Sequence, residues 1–297
     1  MTTSKLLILS LVAASAIASA EQPDPLALHI DKILDSTLTL VGPAEVPSPK
    51  ELRVKAGDKV AFMGDSITAG GGYIRLAAAV LQTNYPDLKL PYFINSGVSG
   101  QKAENMEPRF TKDMHLADKP AWSFISVGIN DVWHRLAKPH DPAVLAEYRT
   151  NITKMVAQAQ AAGATVVLLT PTVIMEDPNS DGNQRLPMYV AAMKEIAVEN
   201  NCLVIDLHGM FLRAIHNKPA DLKLTADGVH MGAYGDAIMA IGVLRAMGVP
   251  DATMTGFDTL PLLRCKALNL PLKRLADLLE IPATRFEKNE LRQFLSF

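Results

Sequence analysis

Four short polar stretches carry the residue types that nucleophilic acyl chemistry needs. The first, Gly64-Asp65-Ser66-Ile67-Thr68, follows the apolar run 59–63 and leads into Gly70-Gly71-Gly72. A serine in such a place, taken alone, caps a helix or makes a turn. To act as a nucleophile it needs a base within hydrogen-bond reach, a group that orients the base, and donors for a developing oxyanion. The second stretch runs from Asn95 to Gln101, where Gly97 and Gly100 let backbone N–H groups come close to a ligand. The third, Gly128-Ile129-Asn130-Asp131, offers an asparagine amide as a donor. In the fourth, Asp227-Gly228-Val229-His230, a carboxylate and an imidazole lie three residues apart. That spacing lets them fold together across a turn and fix the tautomer whose other ring nitrogen accepts a proton.

The elements around these stretches would bring them to one rim. Apolar runs at 59–63, 91–95, 122–127, 165–170 and 202–207 read as buried strands. Amphipathic segments of helical length lie between them, at 73–85, 102–117, 142–163 and 187–201, with another at 233–248 after the last strand. Five strands alternating with helices predict a parallel sheet covered on both faces. Right-handed crossovers would make it an open doubly wound sheet with its site outside the strand C-termini. Ser66 follows the first of these strands. Gly64 is expected to let the chain leave that strand sharply, Asp65 to brace the turn, and the three glycines at 70–72 to keep the nearby backbone uncrowded.

Gly64-Asp65-Ser66-Ile67-Thr68, Gly100, Gly128-Ile129-Asn130-Asp131 and Asp227-Gly228-Val229-His230 together resemble the four blocks of the GDSL, or SGNH, hydrolases, in that family's order over about residues 58–248. Ile67-Thr68 stands where the founding pattern has leucine. The resemblance implies an α/β fold, a three-layer α/β/α sandwich with a flavodoxin-like five-stranded parallel sheet of order 2-1-3-4-5. It implies serine esterase activity without a metal or other cofactor. Carried over by position, it makes Ser66 the nucleophile, His230 the base and Asp227 the orienting acid. The Ser66 and Gly100 backbone N–H groups and the Asn130 side chain would be the oxyanion donors. Trp133 and His134, directly after the third block, are candidates for the substrate pocket, and Asp65 is a further one.

Competing motifs are incomplete. Ser99-Gly100-Gln101-Lys102 has the S-x-x-K spacing of penicillin-recognising enzymes, but no K-T-G or S-D-N follows. The stretch from Asp177 matches the first half of a calcium loop, with Met188 where a glutamate is needed, and so reads as a polar turn. The G-x-S-x-G elbow of α/β-hydrolases is absent. His29, His115, His140, His208 and His216 show no ligand spacing, and two cysteines are too few for a four-cysteine zinc site.

The flanks and the charge bound the setting. Residues 1–20 carry Lys5, an apolar stretch and Ala18-Ser19-Ala20, the pattern of a cleaved export signal. A periplasmic or extracellular protein is expected, with no stable membrane span after processing. A formal net charge of −2 and no long basic run argue against a nucleic-acid partner. Residues 21–57 read as an N-terminal extension and proline-rich connector, 58–250 as the hydrolase domain, and 251–297 as a helical extension packed on it. Cys202 and Cys265 could form a disulfide or stay as free thiols. An exported esterase would meet acylated saccharides, with O-acetyl groups the leading substrate. Lysophospholipase or thioesterase action is the alternative within the same machinery, and a catalytically silent carbohydrate-binding relative the alternative outside it.

Overall fold

The five apolar runs form one sheet, and the central strands are buried on both faces, which is why they read as continuous rather than alternating. In the computed structural model, which describes residues 32–44, 52–91 and 93–257, the strands are β1 (Val60–Gly64), β2 (Phe93–Gly97), β3 (Trp122–Ser126), β4 (Thr165–Leu169) and β5 (Leu203–Ile205). All pairings are parallel and the order is β2-β1-β3-β4-β5. The register sets Val60 beside Phe93 and Trp122, and Gly64 beside Gly97 at the C-terminal edge. Phe62 stacks on Phe124 at 4.7 Å between ring centroids and meets the edge of Tyr73, tying β1 and β3 to the helix above them.

Helices cover both faces. One layer contains α1 (Ile33–Val41), α3 (Gly72–Asn84), α9 (Leu207–Asn217) and α10 (Ala233–Ala246), with α11 (Asp251–Met254) beside it; the short α2 (Ser66–Gly70) lies between β1 and α3. The other contains α4 (Ala103–Met106), α5 (Phe110–Asp113), α7 (Pro142–Ala161) and α8 (Asp181–Glu199), with α6 (Ile129–Trp133) leading in from β3. This is the α/β/α sandwich with the expected strand order.

Three segments differ from the sequence reading. The 102–117 stretch is not one helix but α4, a 3-10 turn, α5 and another 3-10 turn. Pro108 has no N–H to donate back along the chain, and His115 adopts a left-handed φ of 50°. Helix α8 begins at Asp181, not at Pro187, because Ser180 Oγ caps it by accepting from Asn183 N, and Pro187 is carried inside. Helix α9 follows β5 directly, capped by Asp206.

The N-terminal helix is part of the core. Leu34 and Val41 of α1 are fully buried against α9 and α10. Its last carbonyls would otherwise lack partners. Arg213 Nε donates to Val41 O, Asn217 Nδ2 to Leu40 O, and Arg245 to Gly42 O, at 2.8–2.9 Å. The expected export signal, most of the proline-rich connector, Cys265 and nearly all of the C-terminal extension fall outside the described residues. Cys202 is half-buried, a free thiol, and burial raises its pKa.

Candidate active site

Ser66 is the first residue of α2, at the point where β1 ends. The turn is held by Asp65, whose Oδ1 accepts from Ile67 N at 2.9 Å. Asp65 is 2 % exposed, and burial pushes its carboxyl up to about 6. It is a buried cap of α2. The expectation for Gly64 also changes. Its φ is not left-handed; a side chain there would run into Thr68. Gly97 is likewise filled by the backbone of Thr68 and Ala69, so its small size seats α2 on β2 and does not serve a ligand. Asn95 completes the seat, donating through Nδ2 to Thr68 O at 2.8 Å. Among the three following glycines, Gly72 leaves room for the Asp236 carboxylate from α10.

The fourth stretch returns to this turn. His230 Nε2 lies 2.8 Å from Ser66 Oγ, and His230 Nδ1 lies 2.6 Å from Asp227 Oδ2. The other oxygen, Asp227 Oδ1, accepts from the N–H groups of Val229 and His230. These bonds, led by that from the His230 ring, hold the Asp227 carboxyl down at about 2, although its side chain is about half exposed. A carboxylate at Asp227 favours the tautomer with a proton on His230 Nδ1, leaving Nε2 to accept the hydroxyl proton of Ser66. The loop is a small hairpin: Thr225 bridges Met231, and Ala226 N donates to His230 O.

The second and third stretches are linked through Gln101. Asn130, in α6 and 1 % exposed, donates from Nδ2 to Gln101 O at 3.1 Å. Arg109 fixes the Gln101 side chain through Nε at 2.6 Å and also donates to Ser96 O. Gly100, with a left-handed φ of 76°, lies next to the His134 ring. The Trp133 ring stands 5.3 Å from His134 and edge-on to His230 at 6.2 Å. Burial, with Lys102 and Arg135 nearby, lowers the pKa of the exposed His134. Helix α6 can start where it does because Gly128 takes a φ of 124° and admits Pro171 and Tyr148 where a side chain would be.

A serine, an imidazole and a carboxylate hydrogen-bonded in series fit acyl transfer. A family model described as GDSL-like lipase/acylhydrolase matches residues 62–238, which span all four stretches. The chain belongs to the GDSL-like lipase/acylhydrolase family. As a member it is a serine hydrolase of ester bonds. An acetylxylan esterase of Geobacillus stearothermophilus is 29 % identical over 216 residues, covering 66 % of this chain and 97 % of that one. A probable rhamnogalacturonan acetylesterase of Bacillus subtilis (strain 168) is 28 % identical over 159 residues, covering 51 % and 68 %. The crystal structure of the Geobacillus esterase superposes with a TM-score of 0.61 at 29 % identity, over 67 % of this chain and 98 % of the other. An α/β hydrolase from the metagenome of Lake Arreo, 25 % identical, gives 0.60 over 67 % and 99 %.

Two features of this GDSL-type site were not anticipated from sequence. Glu176, in the loop after β4, accepts from the N–H groups of Leu224 and Thr225 and from Thr225 Oγ1. Met175, beside it, has a left-handed φ of 60° and donates its N–H to Gly228 O at 2.7 Å. No spacing rule connects a glutamate to backbone groups 48 and 49 residues away. Among the described residues, no group of three or more His, Cys, Asp or Glu could hold a metal ion, and no helix is long and apolar enough to cross a membrane.

Proposed function

We propose that the protein is an exported esterase that removes O-acetyl groups from carbohydrate through a Ser66-His230-Asp227 triad. The observation that carries the mechanism is the pair of short contacts from the His230 ring, to Ser66 on one side and Asp227 on the other. Ser66 Oγ attacks the ester carbonyl carbon while His230 Nε2 takes its proton. The carbonyl oxygen becomes an oxyanion, received by the Ser66 and Gly100 N–H groups and by the Asn130 amide. Asn130 Nδ2 bears two protons; the bond to Gln101 O orients the amide and leaves the second for the oxyanion. Collapse breaks the ester C–O bond, and the alcohol leaves with the proton from His230. Water then attacks the acyl-Ser66 carbonyl carbon and gives a proton to His230; collapse breaks the acyl–Oγ bond, His230 returns that proton to Ser66 Oγ, and the acid is released. Asp227 holds the ring and stabilises its charged form throughout.

Support for the triad also comes from relatives. Structures described as catalytic mutants of the Geobacillus esterase replace a serine, an aspartate and a histidine, the last two three positions apart, as Asp227 and His230 are. The acetyl-saccharide assignment is supported by the two esterases above, whose names give acetylxylan and rhamnogalacturonan acetyl esters. Trp133 beside the base offers an aromatic face for a sugar ring. The catalytic unit is assigned to residues 58–250, with 1–20 as the export leader and 251–297 as a C-terminal extension.

Chain-length preference tests the substrate. Acetate release from acetylated xylooligosaccharides, with p-nitrophenyl acetate cleaved faster than the octanoate, is the expected result. Preference for octanoyl esters would move the assignment to a lysophospholipase or thioesterase. Hydrolysis of none of them by folded protein would favour a carbohydrate-binding relative.

A further inference from the structure

The triad loop is fastened from behind by a buried ion pair. Glu176 Oε1 receives three donors within 2.8–2.9 Å, Leu224 N, Thr225 N and Thr225 Oγ1, all within three residues of Asp227. Glu176 Oε2 lies 3.1 Å from Lys218 Nζ, and the two side chains are only 10 % and 8 % exposed. Lys218 is itself held by donating to Leu222 O at 2.7 Å. On the far side of the hairpin, Met175 N donates to Gly228 O, and a side chain on Gly228 would collide with the Met175 sulfur. Residues 175 and 176 therefore grip the loop both before Asp227 and between Asp227 and His230. Their own loop is locked by Asn183, whose Oδ1 accepts from Ile174 N and whose Nδ2 donates to Met175 O and Asp177 O.

The grip matters because the triad residues have little burial to hold them. The His230 and Asp227 side chains are 40 % and 53 % exposed. Exposed side chains on a short hairpin do not keep a catalytic geometry by packing, so the backbone beneath them must be fixed by other means. A carboxylate taking three hydrogen bonds fixes it well, since charge-assisted bonds are short and strong. Burial pushes the Glu176 carboxyl up, but the Thr225, Lys218 and Leu224 donors outweigh it and leave it below its ordinary value.

We propose that Glu176, paired with Lys218, is a positioning residue that sets the Asp227–His230 loop at hydrogen-bond distance from Ser66. It touches no substrate and acts only through the loop. This inference rests on the triad reading above.

The test compares two neutral versions of the pair, so that no buried charge is left unpaired in either. In Glu176→Gln/Lys218→Met the amide oxygen still accepts from the loop; in Glu176→Ala/Lys218→Met nothing does. Both lose the Lys218 bond to Leu222 alike. With p-nitrophenyl acetate, the alanine version should lose roughly 10- to 100-fold in kcat relative to the glutamine version, with KM changed by less than about threefold. In a His230→Ala background the difference between the two should vanish, because the loop then has no base to position. Equal kcat values, a loss carried by KM, or a loss that persists without His230 would each overturn the proposal. Should the neutral pairs fold poorly by circular dichroism, Glu176→Asp carries the same test, since it keeps the charge and shortens the reach; wild-type kcat in that variant would also overturn it. Ser66→Ala, measured alongside, keeps the failures apart. An active Ser66→Ala protein would sink the triad itself, whereas an inactive one with equal glutamine and alanine versions would sink only the role of Glu176.

Discussion

Asn130 Nδ2 donates to the backbone oxygen of Gln101 across 3.1 Å, joining the first turn of α6, which follows β3, to the loop after β2. In the proposed mechanism that bond would set the amide before substrate arrives, so that no reorganisation is needed when the oxyanion forms. Asn130→Ala should lower kcat by roughly a hundred- to a thousandfold, as removal of one oxyanion donor does elsewhere. Steady-state kinetics on p-nitrophenyl acetate will read it, with KM little affected.

Gly97 tests the seat of α2. A methyl group there would occupy the space of the Thr68 and Ala69 backbone, which cannot rotate away as a side chain could. Gly97→Ala should destabilise the fold by about 1–3 kcal/mol, the usual cost of overpacking. It should also reduce activity, because α2 carries Ser66. Urea denaturation followed by circular dichroism measures the first effect, and kcat the second.

Asp131 predicts a pH dependence of stability. It is 3 % exposed, and burial raises its carboxyl to about 7, against the lowering influence of Arg135 and of the bond from Ala103 N. Between its unfolded value near 4 and about 7, the folded state holds a proton that the unfolded state has lost, so stability falls as pH rises through that window. Asp65, raised to about 6, adds to the same trend. Asp227 acts in the opposite sense, but only as pH falls below about 4 towards 2. Asp131→Asn should therefore flatten the decline in Tm between about pH 4 and 7. Thermal melts across that range check it.

Trp133 separates saccharide binding from chemistry. Its ring borders both His134 and His230. If a sugar ring stacks there, Trp133→Phe should raise KM for acetylated xylooligosaccharide by roughly two- to tenfold, a loss of about 0.5–1.5 kcal/mol. The KM for p-nitrophenyl acetate, which has no sugar, should move less.

The parallel sheet was legible in the sequence because its strands are continuous apolar runs separated by amphipathic segments, whereas its order came only from the family resemblance. The meeting of Ser66, His230 and Asp227 was legible because each lies at a strand end or in a short block of recognisable spacing. What escaped depends on distant partners. The break at Pro108 could have been read from the proline alone, yet the left-handed turn at His115 has no local signal. The true roles of Gly64 and Gly97 appear only once α2 is seen lying on them. Glu176 and Lys218 look like surface charges in a sequence and become a buried pair only when the loop after β4 meets the Asp227–His230 hairpin.

Fluorophosphonate labelling followed by peptide mass spectrometry tests the central claim most directly, because the probe reacts with an activated serine and not with a turn residue. One adduct per chain on the peptide containing Ser66, absent from Ser66→Ala and strongly reduced in His230→Ala, is the predicted result. A folded wild-type protein that stays unlabelled, or an adduct on another serine, would contradict it.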